Sequence, residues 1–345
     1  MDTPLRLITA TAPVRVCDNG GWTDTWFAEN GRIFNIAVNP GVQTQIAVYP
    51  RTAGRPHILL HAQNFGDRYA MSLNQVGWQH HPLLEATIMR LGVPEDVAVE
   101  ITVHSDMPAG ASTGTSAAVA VSLLGALDRL AGGQRSPHDI AYLAHAVETE
   151  MLGQQSGIQD QLAAAYGGIN DIEMWCYPQA VVHQLAVSSQ VLAELQQRLL
   201  LVYLGRPHRS TAVHEMVIRE LENAGPANPK IEDLRRCATA ARNALLAGDF
   251  AAFGHAMQRN TKAQHQLNPQ LISPTAQQII EIAKAHGSLG WKVNGAGGNG
   301  GSVTLLGSTD ANANQRLLAD ITQANPQLQP ISIRLTPHGL RVDDK

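Results

Sequence analysis

Two glycine-rich segments carry the residue types that could handle phosphate. In Pro108-Ala109-Gly110-Ala111-Ser112-Thr113-Gly114-Thr115-Ser116-Ala117-Ala118 the glycines let the backbone turn its N–H groups inward, hydroxyls sit where a helix would begin, and an apolar run follows. A helix N-terminus offers unbonded donors and the positive end of the peptide dipole, so this order of residues describes a cradle for an anion such as phosphate. The segment lacks the Gly-Lys-[Ser/Thr] ending of a Walker loop, which excludes a P-loop NTPase. The second segment, Gly295-Ala296-Gly297-Gly298-Asn299-Gly300, matches G-x-G-x-x-G. A dinucleotide fingerprint should open a helix, whereas Ser302-Val303-Thr304-Leu305-Leu306 reads as a strand. The alternatives are a glycine-rich hairpin and a backbone loop packed close to phosphates. Ser, His and Asp are plentiful, but no Gly-x-Ser-x-Gly elbow anchors a hydrolase triad. His57 and His61 flank a strand-like run without a third ligand, so no metal site is expected from the histidines.

The elements that must position these segments follow from periodicity. Residues 7–48 read as β-rich, with Asn19-Gly20-Gly21 and Asn39-Pro40-Gly41 as turn signals. Residues 97–104 alternate apolar and polar side chains as a half-buried strand, and residues 117–130 form an apolar helix after the cradle. Helices are expected over residues 139–152, with Asp139 as cap, and over 158–165. Beyond these come a strand at residues 200–203, helices at 231–247, 250–258 and 275–286, and strands at 302–306 and 331–335. Strands and helices without strict βαβ alternation indicate an α+β fold, with a division near residue 190.

At 345 residues the chain is long enough for one large or two medium domains. It has 44% hydrophobic residues and no apolar run near the ~18 needed to cross a bilayer, so no membrane association is expected. Twenty-five basic against 29 acidic residues give a net charge of −4 without a basic stripe, which disfavours nucleic acid. Cys17, Cys176 and Cys237 are few and scattered, and the start lacks the pattern of a secretory signal; both point to a reducing cytoplasm.

Four segments, in order, resemble the GHMP kinase family, which includes galactokinase, homoserine kinase and mevalonate kinase. They are Ala12-Pro13-Val14-Arg15-Val16 with Gly20-Gly21-Trp22-Thr23-Asp24-Thr25, the cradle, Gly157-Ile158-Gln159-Asp160-Gln161 through Gly167-Gly168, and Lys292-Val293-Asn294-Gly295-Ala296-Gly297-Gly298-Asn299-Gly300-Gly301. The resemblance implies a two-domain α+β fold. Residues 1–190 would form a ribosomal protein S5 domain 2-like N-terminal domain and residues 191–345 a ferredoxin-like C-terminal domain, with ATP and substrate meeting between them. The Gly-Gly-Trp-Thr-Asp-Thr run is most similar to the fucokinase and heptose 7-phosphate kinase branch, which implies a small-molecule substrate, a sugar or sugar phosphate, phosphorylated on its anomeric hydroxyl to a sugar 1-phosphate.

By the same resemblance Asp160 is the catalytic base, or orients the acceptor hydroxyl, and Arg15 stands beside it. A guanidinium there would make the aspartate a weak base, so that positioning and charge stabilisation supply most of the rate. ATP would lie against Pro108, Gly110, Ala111, Ser112, Thr113, Gly114, Thr115, Ser116, Gly297 and Gly298. Mg²⁺ would be held by Ser116 and by Glu148, chosen over Glu150 by its spacing from Gly153. Trp22, Thr23, Asp24 and Gly168 would meet the sugar, with Asn170 and Asp171 as weaker candidates, and Arg206 and Arg209 could clamp an anionic one. Serine at position 112 replaces the glycine of many relatives where positive φ is favoured, so the loop is expected to be tighter, strained or differently bonded. The rivals are a catalytically silent sensor on the same fold and a kinase for a non-sugar alcohol. Arg15, Ser116, Glu148 and Asp160 together disfavour the first; the Gly-Gly-Trp-Thr-Asp run disfavours the second.

Overall fold

The computed structural model describes residues 3–207 and 212–345. Its first sheet is built on a long antiparallel pair, β1 (Arg6–Asn19) and β2 (Gly31–Pro50). β3 (Ile58–Ala62) and β4 (Asp67–Met71) form a hairpin, followed by α1 (Pro82–Leu91) and β5 (Val97–Ser105). β5 pairs antiparallel with the second half of β2 and parallel with β3. After the cradle come α2 (Thr115–Leu130), α3 (Pro137–Ala146), a π-helical turn (Val147–Met151) and α4 (Gln159–Tyr166). β6 (Ile169–Cys176) then joins the first half of β2, and β7 (Gln179–Gln184) pairs with β6.

The second half begins with α5 (Ser189–Arg198) and β8 (Leu199–Tyr203), then runs through α6 (Ala212–Ala224), α7 (Pro229–Leu246), α8 (Phe250–Leu267) and α9 (Pro274–Ala285). β9 (Gly290–Val293) and β10 (Ser302–Leu306) are the two arms of a hairpin around the second glycine-rich segment. With α10 (Ala311–Ala324) and β11 (Gln329–Ile331) they complete a four-stranded antiparallel sheet in the order β11-β8-β10-β9. The chain then returns to the first sheet: β12 (Arg334–Leu335) pairs with β2 and β13 (Arg341–Asp344) with β1.

The hydrophobic stripe of α2, including Ala117, Val121, Leu124 and Leu127, is buried where the helix packs on β1 and β2. Each large aliphatic side chain removed from water in this way contributes about 1.5–3 kcal/mol. A separate cluster fills the space under β8–β10, α9 and α10. A third joins Trp22, Phe27 and Ala28 to α6, α7 and α8, and so ties the loop after β1 to the second half of the chain.

Four expectations need correction. Asn39-Pro40-Gly41 is no turn: it lies inside β2, opposite Pro13, as a bulge where proline removes a ladder donor. Asp139 is not the cap of α3; Ser136 is, and Asp139 reciprocates three residues later in a capping box, while Pro137 occupies the first helical position. The helix from residue 250 runs on to Leu267, because Asn260, Thr261 and Gln264 are buried on backbone groups of neighbouring loops and interrupt the apolar pattern. Residues 331–335 do not form one strand, since the chain changes sheets between β11 and β12.

Candidate active site

β1 carries the first half of the site. Its register shifts between Val16 and Asn19, where Cys17 has a φ of 58°, so Arg15 and Asp18, three residues apart, can lie 3.8 Å from each other instead of on opposite faces. Arg15 is buried, and its guanidinium donates to both Asp160 carboxylate oxygens, from Nε at 2.8 Å and Nη2 at 3.2 Å, and to the carbonyl of Ser112. The Arg15 N–H donates to Thr113 O at 2.9 Å, which fastens the cradle to β1. Burial disfavours the Arg15 charge, but the carboxylates of Asp160, Asp18 and Asp24 outweigh it and raise the Arg15 pKa.

The cradle ends in Gly114, left-handed at φ 72°, and no side chain caps α2. Its first-turn N–H groups therefore remain available to an anion. A Cβ on Gly114 would stand 3.1 Å from Asp160 Cγ, so the helix start and the carboxylate share one place. Ser112 holds a φ of 57°, the strain expected of serine at a glycine position, at a cost of about 1 kcal/mol.

α4 brings Asp160, and the tight approach of Gly157 brings Asp24: a Cβ there would fall 2.1 Å from Asp24 Oδ2. Asp24 accepts from Gln159 N–H at 3.0 Å and from Gln159 Nε2 at 3.3 Å. Burial raises the Asp24 carboxyl to about 6, and Asp160 adds to the effect against the Gln159 hydrogen bond and the Arg15 charge. The π turn places Glu148 inward while Glu150 is exposed near Arg90. Glu148 Oε2 accepts from Ser156 Oγ at 2.7 Å and Gln161 Nε2 at 2.9 Å, and Ser116 is also a hydrogen-bond neighbour. Burial pushes its carboxyl up to about 7. Glu148 Oε1 is buried without a partner among the described residues, and one orphaned carboxylate oxygen beside a hydroxyl is a donor set that suits a hard divalent cation.

These groups line a cavity of about 450 Å³ together with Asp18, Trp22, Trp26, His214 and Gly295. Among the described residues, Trp22 Nε1, Ser112 Oγ and Gln159 Oε1, like Glu148 Oε1, are buried there without a protein partner, which is unspent capacity for a polar ligand. Trp22 stacks on His214 of α6 with ring centroids 6.1 Å apart and planes 9° from parallel.

Of the residues expected here, Arg15, Trp22, Asp24, Gly110, Ala111, Ser112, Thr113, Gly114, Thr115, Ser116, Glu148 and Asp160 line the cavity. Five others do not. Thr23 turns away, its hydroxyl donating to Gly20 O at 2.8 Å and accepting from Arg32 N–H at 3.1 Å. Gly168 donates to Thr336 O in the sheet. Pro108 accepts the Ala111 N–H in the turn behind the cradle. Gly297 and Gly298 are held against Leu271 and His214, and the hairpin reaches the cavity through Gly295 and Ala296 instead. Asn170 bonds Asn35 inside the sheet, Asp171 pairs with Arg32 and Arg242, and Arg206 is exposed. Arg209 lies outside the described residues. Sequence reasoning missed Asp18, Ser156, Gln159 and His214. Asp18 was hidden by the bulge, and His214 comes from a helix far along the chain.

Residues 82–168 match the GHMP kinases N terminal domain, and residues 241–320 match the GHMP kinases C terminal domain. The chain belongs to the GHMP kinase family. Among curated GHMP relatives, it is 27% identical over 309 residues to a bifunctional fucokinase/GDP-fucose pyrophosphorylase of Arabidopsis thaliana, covering 85% of this chain and 29% of that protein. It is 24% identical over 197 residues to a D-glycero-alpha-D-manno-heptose 7-phosphate kinase of Campylobacter jejuni, covering 57% and 58%. The chain thus spans less than two thirds of the length of either relative. A crystal structure described as a D-glycero-D-manno-heptose 1-phosphate kinase from Bacteriodes thetaiotaomicron superposes with a TM-score of 0.75 at 20% identity, over 97% of this chain and 98% of that one, and shows the shared GHMP fold. No described helix is long and apolar enough to cross a membrane.

Asp24 gives a prediction that needs no substrate. Its folded pKa of about 6 lies above the unfolded value, so the stability tied to its protonation is full below pH ~4 and lost as pH rises through 6. Asp24→Asn is expected to stabilise the ligand-free protein by about 3 kcal/mol at pH 8 and by about 0.5 kcal/mol at pH 4. Urea unfolding at the two pH values checks this; a variant equally or less stable at pH 8 refutes it.

Proposed function

We propose that this chain is an ATP-dependent sugar kinase that phosphorylates the anomeric hydroxyl of a sugar or sugar phosphate, giving a sugar 1-phosphate and ADP. The observation that carries the reading is the meeting of the cradle with Asp160: Gly114, at the uncapped start of α2, packs on the carboxylate that Arg15 grips from below. The triphosphate of ATP would lie on the N–H groups of residues 110–116, with its terminal group directed at a hydroxyl held by Asp160. The division of labour near residue 190, with residues 1–190 forming the ATP and substrate domain and 191–345 the C-terminal domain, is part of the same proposal. α6 and the hairpin residues Gly295 and Ala296 supply the latter's share of the cavity wall.

In the transfer, the acceptor oxygen forms a bond to the γ-phosphorus as the bond to the β,γ-bridging oxygen breaks, and ADP departs with that oxygen. Asp160 orients the hydroxyl and receives its proton, and Arg15 faces the charge that spreads over the moving phosphoryl group. Ser116 and Glu148 would hold Mg²⁺, which neutralises phosphate charge when bound. Asp24 and Gln159, beside the Trp22 face, would receive and donate hydrogen bonds to sugar hydroxyls, a pairing suited to an ionised acceptor and an aromatic wall.

ADP release over a panel of neutral, acidic and phosphorylated sugars, with mevalonate and homoserine added, tests the reading, and NMR locates the new phosphate. ADP with a sugar and phosphate on C1 is the expected result. Turnover of mevalonate or homoserine alone would overturn the sugar assignment. Nucleotide binding without ADP from any acceptor would identify a silent binder.

A further inference from the structure

Beneath the cavity, charged side chains alternate in sign from one sheet to the other. Asp160 meets Arg15, Arg15 meets Asp18 at 3.8 Å, and Asp18 meets Lys292 of β9 at 3.4 Å. Asp18 and Lys292 are buried as completely as any leucine of the core, at 0% and 1% exposure. Asp18 also accepts from the N–H of Gly295 with both oxygens, at 3.0 and 3.1 Å. The Lys292 ammonium donates to Gln264 Oε1 at 3.3 Å and to the carbonyl of Val293. Burial pushes the lysine pKa down and Asp18 opposes that.

Two carboxylates compete for one guanidinium. Asp160 takes the hydrogen bonds from Nε and Nη2, Asp18 stands 3.8 Å from Nη1, and Asp24 adds a third negative neighbour. Lys292 approaches the same Asp18 oxygen, Oδ1, that faces Arg15 and offsets its charge, while Nε and Nη2 of Arg15 are turned to Asp160. We infer that Asp18 and Lys292 form a positioning pair through which the second sheet holds Arg15 on Asp160. Neither residue need touch the substrate. The pair makes the alignment of the reacting groups depend on β9 being seated against β1, where Cys17 N–H also donates to Asn294 Oδ1 at 3.1 Å. This inference rests on the kinase reading only for its effect on rate.

Without Lys292 an uncompensated Asp18 draws Arg15 away from Asp160. Lys292→Met is expected to lower kcat about 100-fold while the KM values for ATP and sugar stay within about threefold. Asp18→Asn removes the competitor and is expected to cost only about fivefold, and Asp18→Asn/Lys292→Met to recover to about the level of Asp18→Asn. A purely structural role predicts the opposite order, because Asp18→Asn strands a buried ammonium and the double variant adds two core losses. The ¹H–¹⁵N resonance of Arg15 Nε gives a readout independent of turnover. It should shift in Lys292→Met and return in the double variant. An unshifted resonance, a double variant no better than Lys292→Met, or Asp18→Asn as damaging as Lys292→Met would each overturn the inference. If the unaltered protein turns over no sugar, the kinase reading fails while the Arg15 resonance still decides the pairing. If Lys292→Met does not fold, the double variant and Asp18→Asn carry the comparison with the unaltered protein.

Discussion

Asp160→Asn is expected to reduce turnover by about a thousandfold or more while nucleotide affinity changes less than about threefold. Asparagine keeps the volume and one acceptor for the Arg15 guanidinium, so α4 and the cavity should persist. What it loses is an anionic oxygen able to take a proton and to orient the acceptor. In the proposed pose the nucleotide lies on residues 110–116, which meet Asp160 through the packing of Gly114 and through Arg15. Single-turnover ADP formation and equilibrium binding of a non-hydrolysable ATP analogue separate the effects. Near-normal turnover would remove Asp160 from the reaction.

The second large effect belongs to Arg15→Met, which is expected to damage both chemistry and stability. Removing the charge facing the phosphoryl group costs about 10²–10³ in kcat. It also leaves Asp160 without its bidentate partner and Ser112 O without its donor. Breaking a fully buried pair costs about 3–5 kcal/mol; with the Asp160 side chain 28% exposed, a loss of about 2–3 kcal/mol is expected here. Chemical denaturation measures the second term, and kcat for any sugar that proves to be a substrate measures the first. A variant that keeps full activity would show that Arg15 is only scaffolding.

The sequence made the elements and the cradle legible because both depend on local chemistry. β5, β10 and α2 follow from alternation or from an apolar stripe, whereas the strain at Ser112, seen in its positive φ, was expected from relatives that carry glycine there. Arg15, Asp24, Glu148 and Asp160 entered through the resemblance to a family, and the structure places all four on one cavity. What stayed illegible depends on distant parts of the chain. Asp18 required a bulge that defeats two-residue alternation, and its partner Lys292 lies 274 positions further along. The site's edge at His214 required the packing of α6 over Trp22. Gly297 and Gly298 looked like phosphate ligands for the same local reason that the cradle does, but their hairpin is turned so that they brace Leu271 and His214.

The pairing of β13 with residues 8–11 of β1 bears on how the molecule is made. β1 leaves the ribosome more than three hundred peptide bonds before residues 341–344, and the edge that they cover stays bare until they emerge. Until then Ile8, Thr9, Ala10 and Thr11 form an open edge, the kind that recruits strands from other molecules. A half-made chain is therefore open to strand exchange at this seam until its last residues close it.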